Sequence, residues 1–346
     1  MTDASDSEAL DVGELSPDDW NEYAISQGWS DGLPLVMPTE AAVEKFVAAA
    51  GRVDNSTFQP ISPRQVVPTL RSLAANAVMA GCKPEYFPVV LAGLRSVLSP
   101  DYHLHGTLAT THPCAQLMVV SGPLRTELDI NCGSNCLGQG RRANATIGRA
   151  LQLILLNGGG AKPGDMDRAT QGSPAKFAYC LGENEEASPW EPYHVRKGFA
   201  ATDSVVTCMA AEAPHNINDH ASNTGEGLVT TVAGTMSQVG TNNTYLKGPC
   251  FVVLGPEHAQ TMHRDGWTPK MLQEALYERS RIHVSRISKE NLESWAGQDR
   301  HPVNGHYYIG SSPDDISVIV AGGPGKHSVF IPSFGNTAAS SSKVTR

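Results

Sequence analysis

The sequence contains no apolar run near the roughly 20 residues that a membrane-spanning helix requires; the longest, around Leu151 to Leu156, is far too short. It opens with no charged, apolar and small-residue leader of the secretory kind, so a cytoplasmic location is expected. It lacks an even, closely spaced cysteine framework. Seven cysteines in 346 residues read instead as free thiols, ligands or a redox pair. A basic face is missing too. The formal net charge is −9, but Asp3, Asp6, Glu8, Asp11, Glu14, Asp18 and Asp19 stand in the first nineteen residues with no basic residue among them. Lys343 and Arg346 lie at the other end, so the body between is nearly balanced, which argues against a nucleic-acid partner.

What the chain does have is length enough for one large domain or two moderate ones, and a dense stretch from Asn131 to Gly160. There a glycine-rich loop with Cys132 and Cys136 runs into Arg141 and Arg142. Asn144 is placed to cap a mostly apolar helix from Ala145 to Leu156, which Asn157 and Gly158 end. Unpaired backbone N–H groups at a helix start, with two arginines beside them, predict an anion site. The spacing of Gly138, Gly140 and Ala143 fits a dinucleotide fingerprint, but neither flank is a hydrophobic strand, so that reading is rejected. The plainer alternative is that the arginines pair with carboxylates elsewhere.

Other stretches carry chemistry of their own. Asp31 sits in a rigid turn before Pro34 and is able to contact a ligand, or to close an Asx turn on its own backbone. Thr39 is expected to cap a helix that Gly51 stops, and a second helix is expected from Pro68 to Ala80. Cys82 follows, beside Lys83 and before a helix that starts at Pro84 or Pro88. Both neighbours favour thiolate, although free cysteines are among the most buried residues. His103 and His105, then His112 and Cys114, are spaced two apart and form a candidate transition-metal set. Residues 165 to 190 read as a loop holding Lys176 and the run Glu183-Asn184-Glu185-Glu186, whose carboxylates are suited to split into an acid and a base, or to form a wet surface. His215, Asp219 and His220 are better explained by capping of a following helix than by a metal. His327 follows the Gly322-Gly323-Pro324 turn, where open sheets place ligand loops; the run lacks P-loop spacing.

Three apolar strands, around Leu117 to Val120, Phe251 to Leu254 and Ile316 to Val320, each end in a Gly-Pro turn. The repetition predicts an α/β fold of two weakly duplicated units with mixed sheets and buried helices. The expected boundaries are a disordered acidic arm over 1–19, a first unit over 20–195, a second over 196–335, and a disordered tail over 336–346.

The runs WSDGLPLVMPT, NAVMAGCKPEYFPVVLAGL, GQGRRANATIGRALQLILLNGGG and GENEEASPW, spread over Trp20 to Ser328, resemble a bacterial family of largely uncharacterised enzymes or enzyme subunits. Its members resemble the large segment found beside, or fused to, a small module with a Sec/Cys-Gly-Ser-Cys motif. The resemblance implies roles for Cys82, Arg142, Asn144, Arg149, Glu183, Asn184 and Glu185. It implies no thiol requirement at Cys114, Cys132 or Cys136. Cys132-Gly-Ser-Asn-Cys136 only imitates the module motif, with one residue inserted, so a module, if the activity needs one, is expected on a separate chain.

The combined expectation is an oligomeric lyase or hydrolase, or its large subunit, acting on a small anionic organic molecule without an organic cofactor. Cys82 serves as nucleophile and Glu183 or Glu185 moves protons. Asp31, Arg142, Asn144, Arg149, Lys176, Asn184 and His327 bind substrate. Two alternatives stand beside it: a reductase working with a small thiol or selenol protein through Cys132 and Cys136 or Cys82, and a metal-binding protein built on His103, His105, His112 and Cys114.

Overall fold

The structure is a computed structural model that describes residues 15–51 and 58–346. The expected acidic arm falls mostly outside the described residues, and its last part begins a helix, Pro17–Ser26. No helix among the described residues is long and apolar enough to cross a membrane.

The helix ends follow their caps. Thr39 accepts from Ala42 N ahead of Glu40–Ala49, and Gly51 at φ +66° stops that helix. Thr69 and Ser72 form a capping box ahead of Leu70–Met79. Thr268 and Ser288 accept from Met271 N and Asn291 N ahead of Pro269–Arg279 and Lys289–Ala296. The Arg142–Asn157 helix departs from expectation. It starts three residues early, with Arg141 as an N-cap that gives no side-chain bond, and Asn144 lies inside the first turn.

The strands in chain order are β1 (Ala115–Ser121), β2 (Cys180–Gly182), β3 (Val205–Ala211), β4 (His215–Asn218), β5 (Cys250–Leu254), β6 (Arg281–His283), β7 (His306–Tyr308), β8 (Ile316–Val320), β9 (His327–Ile331) and β10 (Ser340–Lys343). β6 and β7 form a small antiparallel pair. The rest make two four-stranded sheets, in the orders β10-β3-β1-β2 and β4-β9-β5-β8. Both follow one plan. In each, an inner strand (β1 or β5) pairs parallel with one edge strand (β2 or β8) and antiparallel with the other inner strand (β3 or β9). That second inner strand takes a further antiparallel strand at the far edge.

The far-edge strands are exchanged. β4 follows β3 in sequence but joins the second sheet, while β10 follows β9 and joins the first. The two crossing segments are themselves paired: Glu212 N donates to Pro332 O at 2.9 Å, and Phe334 N donates to Ala210 O at 2.8 Å. This corrects both expected boundaries. The first unit takes in β3, beyond residue 195, and the presumed disordered tail supplies β10. Likewise His215 to Asn218, read as a polar lead-in to a helix, is β4; Thr224 is the residue that caps Gly225–Met236.

Strand residues alternate between faces. Leu117 and Val119 of β1, Met209 of β3, Phe251 and Val253 of β5 and Ile319 of β8 form one core between the sheets. Met118 and Val120 of β1 and Val206 and Cys208 of β3 turn outward into a core with Leu70–Met79, Phe87–Val97 and Arg142–Asn157. Val252 and Leu254 of β5 and Val318 and Val320 of β8 pack against Gly225–Met236 and Pro269–Arg279. The layers are therefore helices, sheet, sheet, helices. With both faces covered, β1, β3, β5 and β8 are buried at every position, which is why the sequence shows them as continuous apolar runs.

Candidate active site

The arginine-rich helix start was the expected anion site, and its groups are already committed to protein partners. Arg149 makes two hydrogen bonds to Asp31, at 2.7 and 2.8 Å, and also donates to Leu33 O and Pro34 O. Arg142 donates to Gly81 O and Cys82 O, and Arg141 pairs with Asp129 at 3.1 Å. Buried Asn144 accepts from Asn131 N and donates to the carbonyls of Asn131, Cys136 and Cys180, tying the glycine loop to the helix and β2. These contacts correct the anion-site expectation: a helix start with charged neighbours binds an anion only when those neighbours are free, and here they hold the fold.

The thiolate expected at Cys82 is overturned as well. Its thiol is buried and donates to Thr146 O at 3.2 Å; burial pushes it up to about 12, outweighing the Thr146 bond and the nearby arginines. Lys83 leans instead toward Glu85, 3.8 Å away.

The candidate metal set is not assembled. His103 is a left-handed cap residue, His112 pairs with Glu212 at 3.0 Å, and the buried Cys114 thiol donates to Thr107 O. His105 joins no group of metal-ligating side chains among the described residues. Lys176 is paired with Asp167 at 2.5 Å. His327 faces His220, ring nitrogens 3.2 Å apart, with its other nitrogen 3.0 Å from Asn216 Oδ1.

The structure instead draws chemistry together where β1 and β2 end beside the end of β8, the side of a parallel pair on which α/β folds place ligands. Glu183 is the first residue after β2 and is 1 % exposed. Ser121, the last residue of β1, donates to its Oε2 at 2.7 Å, and Tyr193 N reaches both oxygens at 2.9 and 3.0 Å. Burial still dominates and raises Glu183 to about 7, against those hydrogen bonds and Arg196 and with help from Glu185.

Glu185 lies beside it. Its Oε1 accepts from Gly122 N at 2.5 Å and is 3.1 Å from Arg125 Nε. Gly122 has φ +93°, and a Cβ there would sit 2.1 Å from Asp203 O, so glycine is needed to bring its N–H to the carboxylate. Arg125, 5 % exposed, makes a two-bond pair with Glu186 at 2.6 and 2.8 Å and approaches Cys132 Sγ at 3.8 Å. Desolvation acts against its charge, but the bonds to Glu186 and Glu185 prevail and leave it raised. Burial raises the Cys132 thiol, and Arg125 partly offsets the rise. Cys132 is nonetheless the one cysteine of the seven that is not buried.

Asn184 fastens this corner to the second sheet. Its backbone N donates to Val320 O at 2.7 Å, and its side chain spans Gly322 O and Ala187 N at 3.2 Å each. Gly322 N returns a bond to Cys132 O at 2.8 Å.

His194, from the short helix Tyr193–Arg196, completes the cluster. It is 1 % exposed, neither ring nitrogen has a hydrogen-bond partner, and Nδ1 lies 3.9 Å from Glu185 Oε1. A buried imidazole with no partner at either nitrogen costs stability, and a water or a ligand group would complete it.

Glu183, Glu185 and His194 are the only three such side chains among the described residues whose ligating atoms lie within 4.8 Å of one another. The donor set suits protons better than a cation. Glu185 Oε1 is already spent on Gly122 and Arg125, Glu183 Oε2 on Ser121 and Tyr193, and Arg125 supplies the local positive charge.

The second sheet repeats the corner without the chemistry. Gly255 replaces Gly122, and a Cβ there would meet His327 O at 2.3 Å. Three residues on, His258 takes the place of Arg125. It is buried, with Nδ1 2.8 Å from Ser328 Oγ and Nε2 3.1 Å from Asp219 O.

Sequence reading found Glu183, Asn184 and Glu185. It missed Arg125 and Ser121, which strand order brings near them, and His194, which the Tyr193 N bonds to Glu183 hold in place; the one available signal was the Gly122-Pro123 turn that closes β1. No family model matches this chain, and it has no match among curated proteins.

Proposed function

We propose that this chain is an enzyme of lyase or hydrolase type that moves a proton on a small polar organic substrate at the β1/β2 corner. The observation that carries the reading is a buried Glu183, raised to about 7, beside a buried His194 whose two ring nitrogens have no partner. A carboxyl that is half ionised at neutral pH both accepts and donates a proton efficiently. The free positions of His194 are available to hydrogen-bond the substrate. Glu185 and Glu186 are held in place by Arg125, and Cys132 at the accessible side is the thiol best placed to attack an electrophilic carbon. An anionic substrate is disfavoured here, since two carboxylates already claim the Arg125 guanidinium and Arg196 donates to Glu191 O and Val318 O.

The test is a panel of small esters, amides and hydroxy acids assayed across pH. The reading predicts turnover that changes with an apparent pKa near 7 and falls at least 100-fold in Glu183→Gln. Turnover that survives this substitution contradicts it. A thiol-exchange reading draws on the accessibility of Cys132; activity lost in Cys132→Ser but kept in Glu183→Gln favours that reading instead.

A further inference from the structure

A separate cavity of about 550 Å³ opens at the other end of β1. It lies between the C-terminal half of the Arg142–Asn157 helix, the Leu104–Leu108 helix and the loop that carries Lys176. Cys114 lines the cavity and Ser121 lines the acid/base corner, seven residues along one strand, so the two sites are roughly 23 Å apart at ~3.3 Å per residue. The volume falls in the range of small-molecule sites.

Its walls say what it would take. Leu108, Leu153, Leu156 and Phe177 give it an apolar surface, and Phe177, 45 % exposed, stands at the opening. The charges in the wall cancel in pairs: Lys176 with Asp167, and Asp31 with Arg149 behind it. What remains unspent are hydrogen-bond donors. Gln152 Nε2 and Ser173 Oγ are buried atoms with no partner. Gln116, 2 % exposed, accepts from the Tyr102 hydroxyl through its amide oxygen. Buried donors without acceptors cost about 1–3 kcal/mol each, and a ligand oxygen placed among them recovers that cost.

We infer that this cavity is a binding site for a neutral, largely apolar small organic molecule that carries a hydrogen-bond-accepting oxygen. The site is independent of the proposed acid/base corner. Cys114 takes no chemical part, since its thiol is a buried donor to Thr107 O.

Nile red, which is neutral, apolar and carbonyl-bearing, is a suitable probe, read by its fluorescence on the full-length chain. The expected result is saturable binding at one site per chain, weakened at least tenfold in both Ser173→Trp and Ala169→Trp, which fill the cavity from its loop, with unchanged thermal melting. Gln152→Leu is expected to weaken it several-fold, and Glu183→Gln to leave it unchanged. Anionic 1-anilinonaphthalene-8-sulfonate is expected to bind at least tenfold more weakly than Nile red. The inference is overturned by non-saturable binding to the folded wild-type chain, by unchanged affinity in both tryptophan variants, or by the anionic dye binding as tightly.

Discussion

Two buried histidines occupy matching corners of two similar sheets, and they are treated in opposite ways. His258, past the Gly255-Pro256 turn, has both ring nitrogens bonded, to Ser328 Oγ and Asp219 O. His194, at the corner closed by Gly122-Pro123, has neither nitrogen bonded. The same side chain at similar burial is a structural strut in one corner and an unsatisfied group in the other. Burial and residue type do not distinguish them; hydrogen-bond accounting does. The same accounting separates the arginine-rich helix start, where Arg142, Arg149 and Asn144 are bonded to protein groups, from the carboxylate corner, where both nitrogens of a buried histidine are left over.

Breaking the satisfied corner should have the largest effect on stability. His258→Phe leaves the Ser328 hydroxyl and the Asp219 carbonyl without their partner and is expected to cost about 2–4 kcal/mol in chemical denaturation. A loss below about 1 kcal/mol would mean that the strut carries little.

Glu183→Gln sharpens the comparison through pH. A carboxyl with an ordinary value of 4.5, raised to about 7 in the fold, binds its proton more tightly when folded. Its contribution to stability is thus fully present below pH 4.5 and lost as pH rises through 7, amounting to roughly 3 kcal/mol at 1.36 kcal/mol per unit. Between pH 4.5 and 8 the variant should therefore gain on the wild type by about that much. Parallel stability curves would contradict the burial of a titrating carboxyl.

His194→Phe should have the smallest effect on stability, within about 1 kcal/mol, because its ring nitrogens have no bonds to lose. Activity at the corner should nevertheless disappear. A loss as large as that of His258→Phe would make the two histidines equivalent and remove the contrast.

Much of the frame was legible in the sequence. The cap at Thr39 and the apolar runs of β1, β5 and β8 act locally, within a turn or a strand, so local pattern reveals them. The exchanged edge strands were not legible. β4 reads His-Asn-Ile-Asn and β10 reads Ser-Ser-Ser-Lys; both sit at sheet edges with little apolar burial, so neither carries the alternation that marks a strand. At the site, Glu183 and Glu185 were found because they are neighbours in sequence. Arg125 was not, because only the parallel pairing of β2 with β1 brings residues 125 and 183 together, and His194 was not, because the Tyr193 N bonds to the Glu183 carboxylate that hold it there leave no local pattern. The anion site was misread at Arg149 for the complementary reason. Its partner Asp31 lies 118 residues away, and no local pattern shows that the charge is already taken.

The central claim is that Glu183 is a buried proton carrier at neutral pH. The most direct measurement is the carboxyl 13C chemical shift of Glu183 followed by NMR from pH 4 to 9, assigned by its disappearance in Glu183→Gln. The account predicts a midpoint near 7; a midpoint near the ordinary 4.5 would contradict it.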